Sequence, residues 1–208
     1  MILVDVNTTS SVSDQDHASE QRTSAPISFP MTNRRIVLLI TGRPGVGKTT
    51  ALRRVADALG GAVGLGGFYT EEIRRGGERQ GFRLVTFDGR RGVMARADAS
   101  GGPRVGKYRV DVDVIDALAA SALAIRIETR LYLVDEVGKM ECLSPQFVAA
   151  MRVLLHSDKS VVATIAERGS GFIEEVKRHP GAELWTVTRA NRDAIHRRIV
   201  DWLRDTPP

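Results

Sequence analysis

The residues best suited to chemistry are Gly42-Arg43-Pro44-Gly45-Val46-Gly47-Lys48-Thr49-Thr50. They form a G-x-x-x-x-G-K-[ST] arrangement, and each residue type has a physical reason. Glycines let the backbone turn tightly, so successive N–H groups can converge on phosphate oxygens. A helix that starts directly after the loop adds partial positive charge behind them. Lys48 is placed to reach the β- and γ-phosphates, and the Thr49 hydroxyl to ligate Mg²⁺. The whole run from Gly42 to Thr50 is therefore the expected phosphate cradle. A glycine-rich turn with a chance lysine would look similar, but here an apolar run precedes it and helical spacing follows. The loop itself says nucleotide phosphates and is silent on hydrolysis.

A second group of candidates is Asp135 and Glu136, which end the apolar run Leu131-Tyr132-Leu133-Val134. Four apolar residues and an acid have the form of a Walker B strand, whose aspartate helps hold the Mg²⁺ of the phosphate loop. Glu136 is expected to face the γ-phosphate and orient or deprotonate a water. A capped turn is the other reading of two acids at a strand end. Thr164, on the next strand, is either a γ-phosphate-sensing group or an ordinary strand threonine. Lys139 and Glu141 either meet substrate or fix their loop. Arg168, flanked by Gly169 and Gly171, is a candidate arginine finger in cis, with a solvated arginine as the alternative. Asn191 and Arg192 open the last helix, where they could contact base or ribose; an Asn cap explains Asn191 equally.

The elements that must position these residues follow from periodicity. Ile36–Thr41 reads as a buried strand, and a helix follows through Leu52, Val55, Ala56 and Leu59, closed by Gly60-Gly61. Strand Gly67–Ile73 and return strand Phe82–Phe87 read as a β-hairpin. Helical spacing resumes at Val114, Ile115, Leu118, Leu123 and Ile127. Ser144-Pro145 has the form of an N-cap with proline at the first helical position, ahead of Phe147, Val148, Met151 and Leu154-Leu155. Strand Val161–Ile165, a short helix at Phe172–Lys177, strand Leu184–Val187 and a helix through Ile195, Ile199, Trp202 and Leu203 complete the chain. Alternating strands and helices predict an α/β fold, a mostly parallel sheet flanked by helices, with an antiparallel hairpin inserted.

Length and composition set the remaining bounds. The 208 residues, 42% of them hydrophobic and 26% charged, suit one globular domain. Residues 1–33 are polar and lack periodicity, which predicts a disordered tail, and residues 34–208 the domain. Met31 is a candidate alternative start. The formal charge of +5 and the pI of about 9.8 would suit polyanions, yet the arginines are scattered in short pairs without stacking aromatics, so nucleic acid is not an expected partner. Cys142 is the only cysteine, which excludes an internal disulfide and a Cys-based metal site. With no run long enough to span a bilayer and no signal peptide, a cytoplasmic monomer is expected.

Five further motifs stand in order around the phosphate loop: Gly67-Phe68-Tyr69-Thr70-Glu71-Glu72-Ile73-Arg74, Gly81-Phe82, Val105-Gly106-Lys107-Tyr108, Val134-Asp135-Glu136-Val137-Gly138-Lys139-Met140-Glu141 and Asn191-Arg192-Asp193. With the loop they resemble the THEP-type nucleoside-triphosphatases, the family that includes the cancer-related nucleoside-triphosphatase of animals. The resemblance runs from about Arg34 to the last helix. It implies a RecA-like P-loop fold and Mg²⁺-dependent hydrolysis of ATP, GTP, CTP and UTP to the diphosphate and phosphate, with broad base selectivity. Val137 in place of the usual Ile, Arg43 at a commonly small or Pro position, and the tail depart from the pattern. Arg43 is either a substrate contact or solvated. No trans-acting finger is evident, which predicts slow turnover. The competing expectation is a small-molecule or nucleotide kinase whose acceptor sits on Tyr69, Glu71, Arg74 and Arg83; Glu136 argues against it. A nucleotide-dependent nucleic-acid switch is the third.

Overall fold

The computed structural model describes residues 35–59 and 64–205. Strand β1 (Val37–Thr41) is buried along its whole length, as five consecutive apolar or small residues require of a strand covered on both faces. Helix α1 (Lys48–Leu59) turns Leu52, Val55 and Leu59 of the predicted stripe toward the sheet, with Ala51 fully buried beside them and Ala56 partly so. Strand β2 (Leu65–Arg75) then does two jobs. Its first part, Leu65–Phe68, pairs in parallel with β7 (Leu131–Val137), and from Phe68 onward it pairs antiparallel with β3 (Glu78–Thr86). Gly67 sits where the change occurs, at φ +96°, and a Cβ there would stand 2.0 Å from the Leu133 carbonyl oxygen, so only glycine fits.

Strands β4 (Arg91–Arg96), β5 (Arg104–Val105) and β6 (Tyr108–Val110) extend the same sheet beyond β3. With β8 (Ser160–Ile165) and β9 (Ala182–Thr186) the order is β5-β6-β4-β3-β2-β7-β8-β1-β9. The expected α/β sheet flanked by helices is present, and so is the expected hairpin, formed by β2 and β3. Three further strands continue the sheet beyond it, so half of the strand pairings are antiparallel. Sequence reading passed over β4 because its buried residues, Met94 and Ala95, are adjacent. A register shift between Phe82 and Arg83 on β3 breaks the alternation that would have announced it.

Each face of the sheet has its own core. The π-helical turn Ile115–Ala120, which continues α2 (Val112–Val114), covers one face with α3 (Pro145–His156) and α4 (Phe172–Lys177), burying Ile115, Phe147, Met151 and Ile173. The other face packs under α1 and α5 (Ile195–Asp205), around Leu38, Ile40, Leu52, Ile199 and Leu203. Helix α3 begins as its sequence promised, with Ser144 Oγ accepting from the Phe147 N–H at 2.8 Å and Pro145 next. Ile127 does not belong to a buried helical face: the helical segment stops near Ala122, and Ile127 is 96% exposed. The tail and the Gly60-Gly61 stop lie outside the described residues. No helix among those residues is long and apolar enough to cross a membrane.

Candidate active site

The phosphate loop joins β1 to α1, and three glycines give it its shape. Gly42, Gly45 and Gly47 have φ of +147°, +74° and +113°, values that side chains resist. At Gly42 space forbids a side chain as well, since a Cβ would lie 2.5 Å from the Val187 carbonyl oxygen. Val187 also donates its N–H to the Thr41 carbonyl at 2.8 Å, so the β9–α5 connection is laced to the mouth of the loop. Val46 N–H bonds the Arg43 carbonyl (3.2 Å), and Ala51 N–H bonds Gly47 (2.9 Å), the first bond of α1. Arg43, Pro44, Gly45 and Thr50 are exposed, and Thr49 is half-buried.

Lys48 is 8% exposed, and its ammonium folds back over the loop to donate to the Gly42 carbonyl at 3.0 Å. The same Nζ is 3.8 Å from Glu136 Oε2. Lysine and glutamate reach each other although β8 runs between their strands. Glu136 keeps 32% of its side chain accessible. Burial raises its pKa above the ordinary carboxylate range; the Lys48 charge opposes that rise without cancelling it, and Asp135 adds to it.

Asp135, joined to Glu136 by a cis peptide, is wholly buried. Its Oδ1 accepts from the Thr164 hydroxyl at 2.7 Å, and its Oδ2 from the Thr70 hydroxyl at 2.8 Å and the Thr70 N–H at 3.3 Å. Thr164 thus fixes the aspartate. Thr70 was missed from sequence; the sign was its place in the Gly67–Arg74 motif, but only the pairing of β2 with β7 brings it to the acid. Asp135 forms no ion pair among the described residues, and no group of three or more His, Cys, Asp or Glu there could hold a metal. A divalent cation at this place would therefore draw most of its ligands from a nucleotide and water. An aspartate aimed by three donors and unmatched by any cationic side chain fits that arrangement.

Behind Glu136, Glu141 is 6% exposed, with Oε2 2.8 Å from where a Gly138 Cβ would stand. Burial, then the Glu136 charge, push its pKa up to about 8 against the pull of backbone amides at Glu141 and Gly138. Burial and the neighbouring Glu141 push the Cys142 thiol up to about 12, so it is an inert, partly buried residue.

The other candidates are less convergent. Asn191 spends its amide on the loop itself, accepting from Thr188 N–H (2.8 Å) and donating to the Thr186 carbonyl (2.9 Å). Arg192 lies along the phosphate loop, its Cβ and Cδ 3.8 and 3.9 Å from where a Gly47 Cβ would be. Lys139 and Arg168 are exposed. Of the residues a phosphoryl acceptor would use, Tyr69, Glu71 and Arg83 share one face of the sheet, and Arg74 is taken up elsewhere. Arg74 pairs with Glu72 at 2.5 Å, while Glu71 lies between Arg53 (3.9 Å) and Arg83 (3.7 Å).

A family model described as NTPase matches residues 37–200. The chain is 42% identical over 165 residues to the nucleoside-triphosphatase THEP1 of Thermotoga petrophila, covering 78% of this chain and 90% of the relative. The crystal structure of THEP1 from the hyperthermophile Aquifex aeolicus superposes with a TM-score of 0.73 at 35% identity, over 81% of this chain and 99% of that one. The solution structure of a human cancer-related nucleoside triphosphatase gives 0.71 at 34% identity, over 84% and 100%.

Proposed function

This chain belongs to the NTPase family and is a nucleoside-triphosphate hydrolase, and from that premise we propose that Glu136 activates the water and Lys48 receives the charge that the reaction releases. The observation that carries the reading is the 3.8 Å approach of Lys48 Nζ to Glu136 Oε2 above a loop of positive-φ glycines. A triphosphate seated on the amides of Gly42–Thr50 puts its γ-phosphorus near that pair. A water on the far side attacks in line, and its proton passes to Glu136. The bond from the γ-phosphorus to the bridging oxygen breaks, and the departing diphosphate keeps the electron pair. Lys48 and the loop amides stand where that charge develops.

A carboxylate whose pKa is raised is a better base than an ordinary one, and the adjacent ammonium favours its ionised form. Thr49 and Asp135 are the residues that would hold Mg²⁺, with Asp135 fixed by Thr70 and Thr164. Bound there, the ion would supply charge neutralisation on the β- and γ-oxygens. Arg43 and Arg192 border the loop as contacts for the rest of the nucleotide, and Asn191 holds the segment that carries Arg192. Broad use of ATP, GTP, CTP and UTP is part of the same reading. Arg168, the candidate finger in cis, is exposed, and slow turnover belongs to this proposal.

The test is phosphate release from ATP with Mg²⁺ and no acceptor, for wild type and Glu136→Gln. A loss of about 10²–10⁴ in turnover with nucleotide affinity retained is the expected result. Turnover within a few-fold of wild type removes Glu136 from the chemistry. Release that appears only when an acceptor metabolite is added would point to phosphoryl transfer instead.

A further inference from the structure

Positive charge is not spread evenly over this molecule. Between Leu65 and Val110, the span of β2 to β6, ten Lys or Arg stand against five Asp or Glu. That excess equals the formal charge of the whole chain, +5, so the rest is balanced. Strand register gathers much of the excess on one face, because directly paired residues share a face. Arg104 is opposite Arg109, Arg109 opposite Arg96, Arg96 opposite Gly81 and Gly81 opposite Ile73, one row across the sheet. A second row holds Val93, Arg83 and Glu71, and a third Arg91, Val85 and Tyr69. The third row ends at α1, where the Arg53 guanidinium lies 4.7 Å above the Tyr69 ring.

The opposite face of these strands carries Phe82, Leu84, Met94, Tyr108 and Val110, packed under the π-helical turn and its neighbours. Among the described residues the arginine face has no such cover beyond α1. Arg96 pairs with Asp98 at 2.7 Å and Arg83 with Glu71 at 3.7 Å, whereas Arg91, Arg104 and Arg109 meet no carboxylate among the described residues. Arg104 and Arg109 donate to the Gly106 and Gly102 carbonyls at 2.8 and 3.1 Å, which fixes where their charge sits. Beside this row a groove of about 460 Å³ opens between β4, β6 and the loop at 99–103, lined by Arg96 and Arg109 and by Asp111 and Asp113.

We propose that this face binds single-stranded nucleic acid, its phosphates along the Arg104–Arg109–Arg96 row and its chain running toward Arg91 and Arg83. The rows cross five strands, about 19 Å at the usual strand separation. The groove has room for one unstacked base, which a duplex does not offer. A lipid surface fits poorly, since the large exposed apolar side chains, Ile125, Ile127, Val153 and Leu184, all lie outside these strands. Tyr69 is the one aromatic in these three rows, and its ring packs against Phe87 at 5.6 Å, so phosphates dominate the binding and salt weakens it. Scattered in sequence, these arginines gave no such sign; only the register assembles them. The proposal is independent of how the phosphate site works.

Anisotropy of a labelled oligouridine of about 20 nucleotides, titrated with protein from about 50 to 200 mM salt, tests it. Wild type is expected to bind at the lower salt. The triple variant Arg91→Gln, Arg104→Gln, Arg109→Gln is expected to bind at least about tenfold more weakly, with the log–log salt slope smaller by about two. Its ATP hydrolysis should be unchanged, which also shows that it is folded, and the matching Arg→Lys triple should recover most of the binding. A control variant, Arg126→Gln, Arg130→Gln, Arg178→Gln, loses the same charge elsewhere and should bind like wild type. Absence of binding at the lower salt, an equal loss in the control, or equal affinity for duplex DNA overturns the proposal.

Discussion

Glu141→Gln should change how stability depends on pH, by an amount that the buried carboxyl fixes. In the folded chain this group titrates at about 8, against an ordinary 4.5, because burial and the nearby Glu136 disfavour its anion. Below pH 4.5 both folded and unfolded chains hold the proton, and the group contributes no pH dependence. Between 4.5 and about 8 the unfolded chain releases a proton that the folded chain keeps, so stability falls as pH rises. The slope is about 1.4 kcal/mol per pH unit, which accumulates to about 5 kcal/mol by pH 8 and then levels off.

Urea unfolding of wild type and Glu141→Gln, without nucleotide or divalent metal, measures this directly. The free-energy difference between the two proteins should move in favour of Glu141→Gln by about 4 kcal/mol between pH 5 and pH 8.5. Only the change with pH is diagnostic, since the buried amide carries a constant cost of its own. Two curves that stay parallel across that range would refute the reasoning, showing that Glu141 ionises in the folded chain as readily as in the unfolded one.

Thr164→Val removes the 2.7 Å donor from buried Asp135 and should cost about 1–3 kcal/mol in thermal or urea unfolding, with slower phosphate release; Thr164→Ser should restore both. Ser144→Ala deletes the N-cap of α3 together with a hydroxyl bond to Asp116, and a loss of about 0.5–2 kcal/mol is expected, read as a lower Tm with turnover per folded molecule unchanged.

What the sequence disclosed follows a physical divide between local and non-local determinants. The loop from Gly42 to Thr50 carries its own conformation in its glycines, and Ser144-Pro145 starts a helix by chemistry within a few residues, so both were legible. Asp135 and Glu136 were legible as a strand end, and the fold brings Glu136 to 3.8 Å from Lys48. Thr70 was not, because its role exists only once β2 lies beside β7. Nor was β4, where a register shift spoils the alternation, or the arginine face, whose members come from four strands. Ile127 was misassigned because an apolar residue at helical spacing is indistinguishable from a stripe member until the helix is seen to end.

The placement of β8 between β1 and β7 has a mechanical outcome. Two strand separations set the jaws of the cleft about 10 Å apart, wide enough for the tail of a triphosphate and an attacking water to lie between them. No backbone bond ties one jaw to the other, so the gauge of the cleft is held by a single intervening strand and by Thr164 at its tip. Widening or narrowing that strand's contacts would retune the distance between base and lysine while leaving both residues untouched.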